Sequence, residues 1–433
     1  IDGETNLIIF RLDFIIFTFT HVTSTQVAFE IRDPSFLHRS QLSMHYMYAL
    51  HDSVVLPFSF LFYVNFYRVD LSILTGLPPA PTTHIPPFSL RRKSSGYVMY
   101  AVTIMAAEVK TESFCGRILC VGLAALDIVN TCERYPNEDE DVRAISQIWQ
   151  TGGNACNTST VLGELGIDCE LFGTMSCGPQ ADFLCKQIRE RKIRYENCVF
   201  HKNCGTPTSS VVLSLNSGSR TIVHSRNNLP ELKVADFVKL NLTNYRWIHF
   251  EGRKNEEAIV QMIDKIEEFN ATQSCNEKIS VSLELEKPRE SHLLLLNKAD
   301  VVFISKEFAR FRGFSSSAEA VKSIYNKVKS GAVLICAWGE GGADGIGPDG
   351  EIKHSNAYPP KVIIDTLGAG DTFNAGVICG LHGGLTLQDT LDFACFLAGV
   401  KCGIQGYDGL AKAVASHHCW ETYMKGLVSN NLR

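Results

Sequence analysis

The sequence predicts an α/β fold in which a central, mostly parallel β-sheet is flanked by helices on both faces. From residue 118 onward, short apolar runs rich in β-branched residues alternate with longer amphipathic stretches. Strands that alternate with helices form parallel sheets whose two faces are both covered. The composition is that of a globular protein, because 45% of the 433 residues are hydrophobic and 20% are charged.

Each predicted strand is a short, mostly apolar run. The runs cover residues 118–121, 209–215, 221–224, 247–250, 279–283, 301–304, 333–337 and 361–364. Stretches 255–269 and 316–329 repeat apolar residues every three or four positions, which predicts helices. Ligands in such folds bind beyond the carboxyl ends of the strands. We expect Asp127 and Asp371 to converge there, because each follows such an end.

Two parts of the chain, near residues 127–150 and 206–225, are more hairpin-like than the rest. In the second part, Gly218 lies in the middle of a Ser/Asn-rich turn that ends at Arg220. A glycine turn between two β-rich runs predicts a hairpin.

A glycine turn near the C-terminal third reads Val362-Ile-Ile-Asp365-Thr-Leu-Gly368-Ala-Gly370-Asp371. An apolar strand leads into the turn, and a helix starts after it, where backbone N–H groups favour negative charge. A carboxylate at Asp371, beside this anion hole, is suited to take a proton from a hydroxyl that attacks a phosphate. The alternative is an ordinary glycine turn that caps a buried helix. The chain has no Gly-x4-Gly-Lys-Ser/Thr phosphate loop.

A second glycine pair opens the segment Gly152-Gly153-Asn154-Ala-Cys-Asn157. Glycines let a backbone approach a ligand closely. Asn154 and Asn157 are one helical turn apart, so both amides can face one side. Amides donate and accept hydrogen bonds, which suits sugar hydroxyls. The alternative is a helix N-cap with a polar face.

The run from Asp365 to Phe373, Asp-Thr-x-Gly-Ala-Gly-Asp-x-Phe, resembles the C-terminal signature of the ribokinase-like (PfkB) family of sugar and nucleoside kinases. The Gly-Gly-Asn-x-x-Asn segment looks like the sugar-binding motif of the same family. Further motifs narrow the resemblance to fructokinases of the hepatic type, and it covers roughly residues 117–410. These motifs lie at residues 118–127, 135–143, 247–253, 284–290, 302–306, 336–344 and 401–409.

The resemblance implies a kinase that phosphorylates D-fructose at its 1-hydroxyl with ATP, giving D-fructose 1-phosphate and ADP. It makes Asp371 the general base, with the backbone of Gly368, Ala369 and Gly370 as the anion hole. Mg²⁺ would arrive with ATP, because no dedicated cage of metal ligands is evident. The family also uses a potassium ion near the Asp365 loop. A small β-sheet lid, near residues 124–151 and 204–228, would cover the sugar and clasp the lid of a second subunit in a homodimer.

The resemblance also implies the residues that hold the two substrates. The expected sugar-binding residues are Asp127, Gly153, Asn154, Asn157, Lys287 and, reaching the partner's sugar, Asp139. The expected nucleotide-binding residues are Arg220, Trp338, Glu340, Gly342, Gly368 and Gly370. For four of them a role without any ligand remains the alternative: a helix N-cap for Asp127, a solvated acidic turn for Asp139, a surface lysine for Lys287 and a rim arginine for Arg220. The resembled enzymes read Ala-Glu-Glu-Gly at residues 339–342, where this chain reads Gly-Glu-Gly-Gly.

The ends of the chain differ from its middle. Residues 1–114 hold no cysteine and three of the 33 glycines, but 12 of the 25 phenylalanines. We expect residues 1–112 to be a poorly ordered extension or translated non-coding sequence, 113–412 the kinase domain and 413–433 a tail outside the family. Residues 77–87 are a proline-rich linker. The apolar run 54–66 is shorter than the ~20 residues of a spanning helix, so we expect no membrane association.

Composition bounds the partners and the compartment. The net charge of −5 argues against a nucleic-acid partner. The 15 cysteines show no Cys-x-x-Cys spacing, which indicates free thiols in the cytoplasm. The cluster His417-His418-Cys419 is expected to be incidental. Three alternatives stay open: a kinase of the same fold that acts on ribose or adenosine, a catalytically dead sugar-binding protein, and a kinase tethered to a membrane by residues 54–66.

Overall fold

The computed structural model describes residues 116–416 except Gly218, together with six strands nearer the N-terminus, and the chain divides into two units, Ile1–Lys110 and Thr111–Arg433. The strands of the first unit are β1 (Ile8–Leu12), β2 (Ile15–Phe19), β3 (Gln26–Ile31), β4 (Met47–His51), β5 (Val54–Phe58) and β6 (Tyr100–Thr103). Strands β1, β2, β3 and β6 form one antiparallel sheet, and β4 pairs with β5. The predicted linker 77–87, most of the run 54–66 and the cluster at 417–419 lie outside the described residues.

The second unit alternates strands with helices. Its strands are β7 (Arg117–Val121), β8 (Ala125–Cys132), β9 (Ser146–Gly152), β10 (Cys169–Phe172), β11 (Thr174–Ser176), β12 (Val199–His201), β13 (Thr208–Ser214), β14 (Arg220–Ser225), β15 (Tyr245–Glu251), β16 (Ser280–Leu285), β17 (Val301–Ile304), β18 (Val333–Ala337), β19 (Ala343–Ile346) and β20 (Ile352–Ser355). Its helices are α1 (Asn154–Glu164), α2 (Pro179–Glu190), α3 (Val234–Phe237), α4 (Glu256–Asn270), α5 (Lys306–Phe311), α6 (Ser317–Ile324), α7 (Ala369–His382), α8 (Leu387–Cys402) and α9 (Leu410–Ala415).

The main sheet has eight strands in the order β10-β7-β15-β16-β17-β18-β19-β20. The pairs from β10 to β18 are parallel, and β19 and β20 add an antiparallel edge. The chain moves from β7 to β10 on one side and to β15 on the other, so the strand order reverses at β7. Ligand crevices form at such a reversal, beyond the carboxyl ends of the strands.

Both faces of this sheet are buried, as the alternation along β7 illustrates. Ile118 and Cys120 belong to the hydrophobic core that includes residues of α1, α2, α7, α8 and α9. Leu119 and Val121 belong to the core that includes residues of α3, α4, α5 and α6. Successive side chains of a strand point to opposite faces, so one apolar strand contributes to two cores. The predicted α/β architecture, with helices on both faces of a mostly parallel sheet, is confirmed.

A second, four-stranded sheet has the order β14-β13-β8-β9. Strand β13 pairs parallel with β8, while β14 and β9 are antiparallel to their neighbours. Asp127 comes after the carboxyl end of β7, but it lies inside β8 and not at the start of a helix, so the helix N-cap alternative does not apply to it. The polypeptide turns sharply at residues 122–124 and re-enters a strand before it reaches this aspartate.

The strand predicted at residues 361–364 was also wrong. These residues form no strand, and Val362 and Ile363 are 69% and 64% exposed. The N–H groups of Ile364 and Asp365 donate instead to the carbonyl oxygen of Cys402, 2.8 and 3.3 Å away. β-Branched composition indicates a fit to a pleated surface but does not supply a neighbouring strand.

Among the described residues, no helix is long and apolar enough to cross a membrane.

Candidate active site

Two glycines carry the chain from β9 into α1 beside a carboxylate. Gly153 precedes α1 with φ of 92°, and a Cβ there would collide with the carbonyl oxygen of Leu123. A Cβ at Gly152 would collide with the carboxylate of Asp127. Only glycine fits such close approaches, so the pair brings Asp127 next to the first turn of α1.

The amide of Asn154 connects α1 to the carboxyl end of β16. Its Nδ2 donates to Glu284 Oε2 at 3.0 Å and to Glu286 Oε2 at 2.8 Å. Asn374, on α7, donates from Nδ2 to Glu284 Oε1 at 2.9 Å. Asn154 makes no capping hydrogen bond, so the N-cap alternative does not apply to it. The two asparagines therefore hold α1, α7 and β16 together around one buried carboxyl group.

Asp371 and Asn157 face each other across the two helices. Asn157 Nδ2 donates to Asp371 Oδ2 at 2.8 Å, and both side chains are buried. Burial raises the pKa of Asp371 to about 8; the hydrogen bond from Asn157 opposes this rise, and nearby carboxylates, of which Glu286 contributes most, add to it. Burial likewise raises the pKa of Asp127 to about 6. These carboxyl groups are therefore unusually basic for aspartate.

Two buried acceptor oxygens near this pair have no hydrogen-bond partner among the described residues. They are Oδ1 of Asn157 and Oε1 of Gln150, which stands opposite Asp127 in the β8–β9 ladder. Buried polar atoms are almost always hydrogen-bonded in native proteins, so an unpaired acceptor inside a polar site calls for a ligand donor. Hydroxyl groups are such donors.

The glycine turn lies at the N-terminus of α7. Gly368 has φ of 76°, a left-handed conformation, and a Cβ there would collide with the buried Tyr407 hydroxyl. A Cβ at Gly370 would meet no neighbouring atom within 4 Å, so that side of the turn is open. The Ala369 N–H donates to the Thr366 carbonyl oxygen at 3.3 Å. The first N–H groups of a helix lack intrahelical acceptors and favour an anion, which is the physical basis of the expected anion hole.

Arg220 reaches this turn from β14 of the second sheet. Its Nη1 donates to the Thr366 hydroxyl oxygen at 2.6 Å. The guanidinium is exposed and therefore accessible to an anion at the turn. This single contact ties the second sheet to the loop that begins α7.

The expected nucleotide residues after β18 form a separate, more exposed group. The Trp338 ring lies below two cationic groups, Lys306 Nζ and the Arg310 guanidinium, each 5.6 Å from its centroid. Glu340 is exposed; a hydrogen bond from its own backbone N–H and the charge of Lys306 lower its pKa. Gly342 has φ of 77°, and a Cβ there would collide with the Ser355 carbonyl oxygen, so the neighbouring backbone requires this glycine.

Two expected sugar-binding residues are exposed, unlike the buried residues around Asn154. Lys287 is exposed, and its Nζ contacts Glu286 Oε1 at 2.7 Å. Burial lowers the pKa of Lys287, but the charge of Glu286 and other carboxylates raises it more, so the net pKa is raised. Asp139 is exposed, with φ of 62°, in the connection between β8 and β9. Within one chain, Asp139 is not brought to the other residues.

The sequence reasoning missed the acidic residues that surround Asn154. Burial and the charges of Asp371 and Glu286 raise the pKa of Glu284 well above its ordinary value. Glu251, at the end of β15, accepts from Leu123 N at 2.8 Å and from Arg253 Nη1 at 2.7 Å. Glu251 is the last residue of β15 and Glu284 the last but one of β16. A carboxylate at the carboxyl end of an apolar strand was the available signal.

A family model described as "pfkB family carbohydrate kinase" matches residues 116–409. The chain is 48% identical over 294 residues to the ketohexokinase of Mus musculus, an alignment that covers 68% of this chain and 98% of the mouse protein. The sequence resemblance to hepatic-type fructokinases is thereby confirmed.

Solved structures share the fold. A putative ribokinase from Agrobacterium tumefaciens aligns with a TM-score of 0.60 and 16% identity, over 72% of this chain and 99% of that one. The ribokinase of Arabidopsis thaliana, complexed with ribose and ATP, aligns with a TM-score of 0.57 and 18% identity, over 72% and 98%. At identities this low the two alignments show only a shared fold, and that fold is ribokinase-like.

Proposed function

The chain belongs to the pfkB family of carbohydrate kinases, and we propose that it transfers the γ-phosphoryl group of ATP to the 1-hydroxyl of D-fructose. The products are D-fructose 1-phosphate and ADP. The choice of fructose rests on the 48% identity to a ketohexokinase over 98% of that protein's length. The reaction type rests on one observation, the buried Asp371 carboxylate beside the open glycine turn at the start of α7.

Asp371 is proposed as the general base. It takes the proton of the 1-hydroxyl while that oxygen forms its bond to the γ-phosphorus, and the bond from the γ-phosphorus to the β–γ bridging oxygen breaks to release ADP. A base works best when its pKa is close to the working pH, and burial raises the pKa of Asp371 to about 8. Asn157 fixes the orientation of this carboxylate through its 2.8 Å hydrogen bond.

The glycine turn is proposed to bind the transferred phosphoryl group. The backbone N–H groups of Gly368, Ala369 and Gly370 stabilise charge that grows on its oxygens. Arg220, exposed beside Thr366, is positioned to pair with the phosphates of the nucleotide. Mg²⁺ enters as part of the MgATP substrate and neutralises phosphate charge. Among the described residues, no group of three or more His, Cys, Asp or Glu could hold a metal ion.

The sugar is proposed to lie between β8, β9 and α1. The Asp127 carboxylate and the amide oxygen of Asn154 provide acceptors there, and the free oxygens of Asn157 and Gln150 also accept from its hydroxyls. Gly153 lets the backbone approach the sugar. Lys287 is proposed to lie near the transferred phosphate. Trp338, Glu340 and Gly342 are proposed to bound the adenosine side of the nucleotide.

Activity assays on the full chain test the proposal. ATP and D-fructose should yield a product whose phosphate is on O1, assigned by ³¹P and ¹³C NMR. Asp371→Asn keeps the shape but removes the base, so we expect kcat to fall by about 10²–10⁴-fold. Asp349→Asn removes an exposed carboxylate after β19 and should leave kcat unchanged. Turnover on ribose or adenosine alone would discard fructose, and full activity of Asp371→Asn would discard the base.

We also propose that the second sheet joins two chains into a homodimer. A row of apolar side chains crosses this sheet at paired positions, from Ile148 through Val129 and Val211 to Ile222. Residues in register share one face, and this is the face of Asp127. The outer members, Ile148 and Ile222, are 37% and 46% exposed. The same face of a second copy would cover them, and Asp139 would then reach the partner's sugar.

Sedimentation equilibrium tests the dimer. The parent should sediment with twice the mass of one chain, and Ile222→Asp, which adds a charge to the row, should shift it toward the single-chain mass. Ile352→Asp, at an exposed position on β20, is the matched control and should stay dimeric. A monomeric parent would contradict the proposal.

We also propose that the protein is located in the cytoplasm. The described cysteines are free thiols, and most are buried. Free thiols persist in reducing compartments, which supports the cytoplasm.

A further inference from the structure

The ammonium group of Lys401 is completely buried in the second unit. Lys401 lies in the last turn of α8 and is 0% exposed. Its Nζ donates to Asp365 Oδ2 at 2.8 Å and to the Asp365 carbonyl oxygen at 2.9 Å. It also lies 5.5 Å from the centroid of the Tyr407 ring. A fully desolvated ammonium is costly unless it is paired and hydrogen-bonded, and Asp365 supplies both.

Two backbone N–H groups also donate to the carboxylate of Asp365. Leu367 N donates to Oδ1 at 2.9 Å, and Gly406 N donates to Oδ2 at 3.0 Å. The N–H of Asp365 itself donates to the Cys402 carbonyl oxygen at 3.3 Å. Asp365 is therefore held by the end of α8, by the segment that follows α8 and by a backbone N–H of its own loop.

The same segment shapes the anion hole. Tyr407, whose ring faces the Lys401 ammonium, presses its hydroxyl against Gly368, where a Cβ would collide with it. Asp365 fixes one end of the loop, and Tyr407 fixes the glycine that begins α7. The position of the backbone N–H groups at Gly368 to Gly370 thus depends on a contact network centred on one ammonium group.

The potassium ion that the family resemblance implies near Asp365 does not fit these residues. The carboxylate and carbonyl oxygens that would coordinate it already accept hydrogen bonds from Lys401. A second cation within coordination distance of Asp365 would also be repelled by the ammonium at low dielectric. The donor set is occupied by a cation that belongs to the chain.

We propose that Lys401 is a built-in monovalent cation, a positioning residue that holds the Asp365 loop and the anion hole in their active geometry without potassium. This inference rests on the proposed phosphoryl transfer, but the effect of the Lys401 ammonium on stability can be measured even if the chain has no kinase activity. It predicts that the protein needs no K⁺, and that removal of the ammonium creates a requirement for an added cation.

The first experiment compares salts on the full chain. Turnover and melting temperature of the parent should be the same, within about twofold and 1 °C, in KCl and in tetramethylammonium chloride of equal ionic strength, because the large organic ion is excluded from small sites. A parent that is active or stable only in KCl would overturn the proposal. If the parent phosphorylates no sugar but its melting temperature ignores K⁺, the proposed function fails and the built-in cation stands.

The second experiment removes the ammonium. In tetramethylammonium chloride, Lys401→Ala should lose about 10²-fold in kcat with a smaller change in the KM for fructose, because small displacements of catalytic groups are that costly. K⁺ or ethylammonium should restore at least tenfold and raise the melting temperature of this variant alone. Lys412→Ala, an exposed lysine of α9, is the matched control and should show neither effect.

A third variant covers the case in which Lys401→Ala fails to fold. Lys401→Met with Asp365→Asn removes both charges and leaves no lone buried ion. It should fold, stay slow and show no rescue by K⁺, because the cation ligand is gone as well. A kcat of this double variant within about threefold of the parent would overturn the proposal, since the loop would then need no cation at all.

Discussion

Two aspartates bracket the glycine turn, and their surroundings are opposite. Asp365 accepts hydrogen bonds from the Lys401 ammonium and from two backbone N–H groups. Asp371 accepts one hydrogen bond from the neutral amide of Asn157 and faces other carboxylates, including Glu286. Both side chains are buried, so the difference lies in charge compensation and not in exposure.

The difference separates a carboxylate that holds a loop from one that is suited to move a proton. A compensated carboxylate keeps its charge and its place, whereas a buried one without a cation binds a proton readily. A positive charge therefore lies next to Asp365, which holds the loop in place, and none is paired with Asp371, which is proposed to accept a proton. Perturbed carboxyl groups of this kind mark functional sites more often than structural ones.

The largest effect is expected when the carboxylate of Asp365, which pairs with the Lys401 ammonium, is neutralised. Asp365→Asn leaves Lys401 buried without a counter-charge, so we expect the free energy of unfolding to fall by about 3–5 kcal/mol. Urea unfolding followed by circular dichroism measures this loss. Asp168→Asn is the control, because its ion pairs with Arg117 and Arg194 are at least partly exposed and are worth under ~1 kcal/mol. Equal losses in the two variants would show that Asp365 is no more than an ordinary surface partner.

Much of this site could be predicted because its local signals are strong. Two short sequence patterns carry these signals: the turn from Asp365 to Asp371, and the segment that holds Asn154 and Asn157. Each contains glycines because its backbone adopts a conformation or a close approach that other residues do not tolerate. The structure brings both patterns to one place through the 2.8 Å contact between Asn157 and Asp371. Their roles in catalysis and binding stay predictions until the variants are measured.

The rest could not be predicted because it depends on tertiary contacts. Lys401 reads as a helix-end lysine, and only the fold shows that its ammonium is buried against Asp365. The acidic group around Asn154 joins strand ends that are far apart in sequence. The strand predicted at 361–364 was wrong for the same reason, since the Ile364 N–H donates to the Cys402 carbonyl oxygen at the end of α8 and not to a neighbouring strand. Composition records local preference, while partners are set by the whole fold.

The smallest expected effect concerns pH and the uncompensated aspartate. Because burial raises the pKa of Asp371 to about 8, the ionised base forms only as the pH rises through that value. We therefore expect kcat/KM for fructose to increase about tenfold from pH 7 to pH 9 and then to level off. Initial rates over pH 5.5–9.5 at constant ionic strength measure it, and Lys412→Ala should give the same profile. A limb near pH 4 would mean that burial does not raise the pKa of Asp371, and the proposed match between this base and the working pH would then be lost.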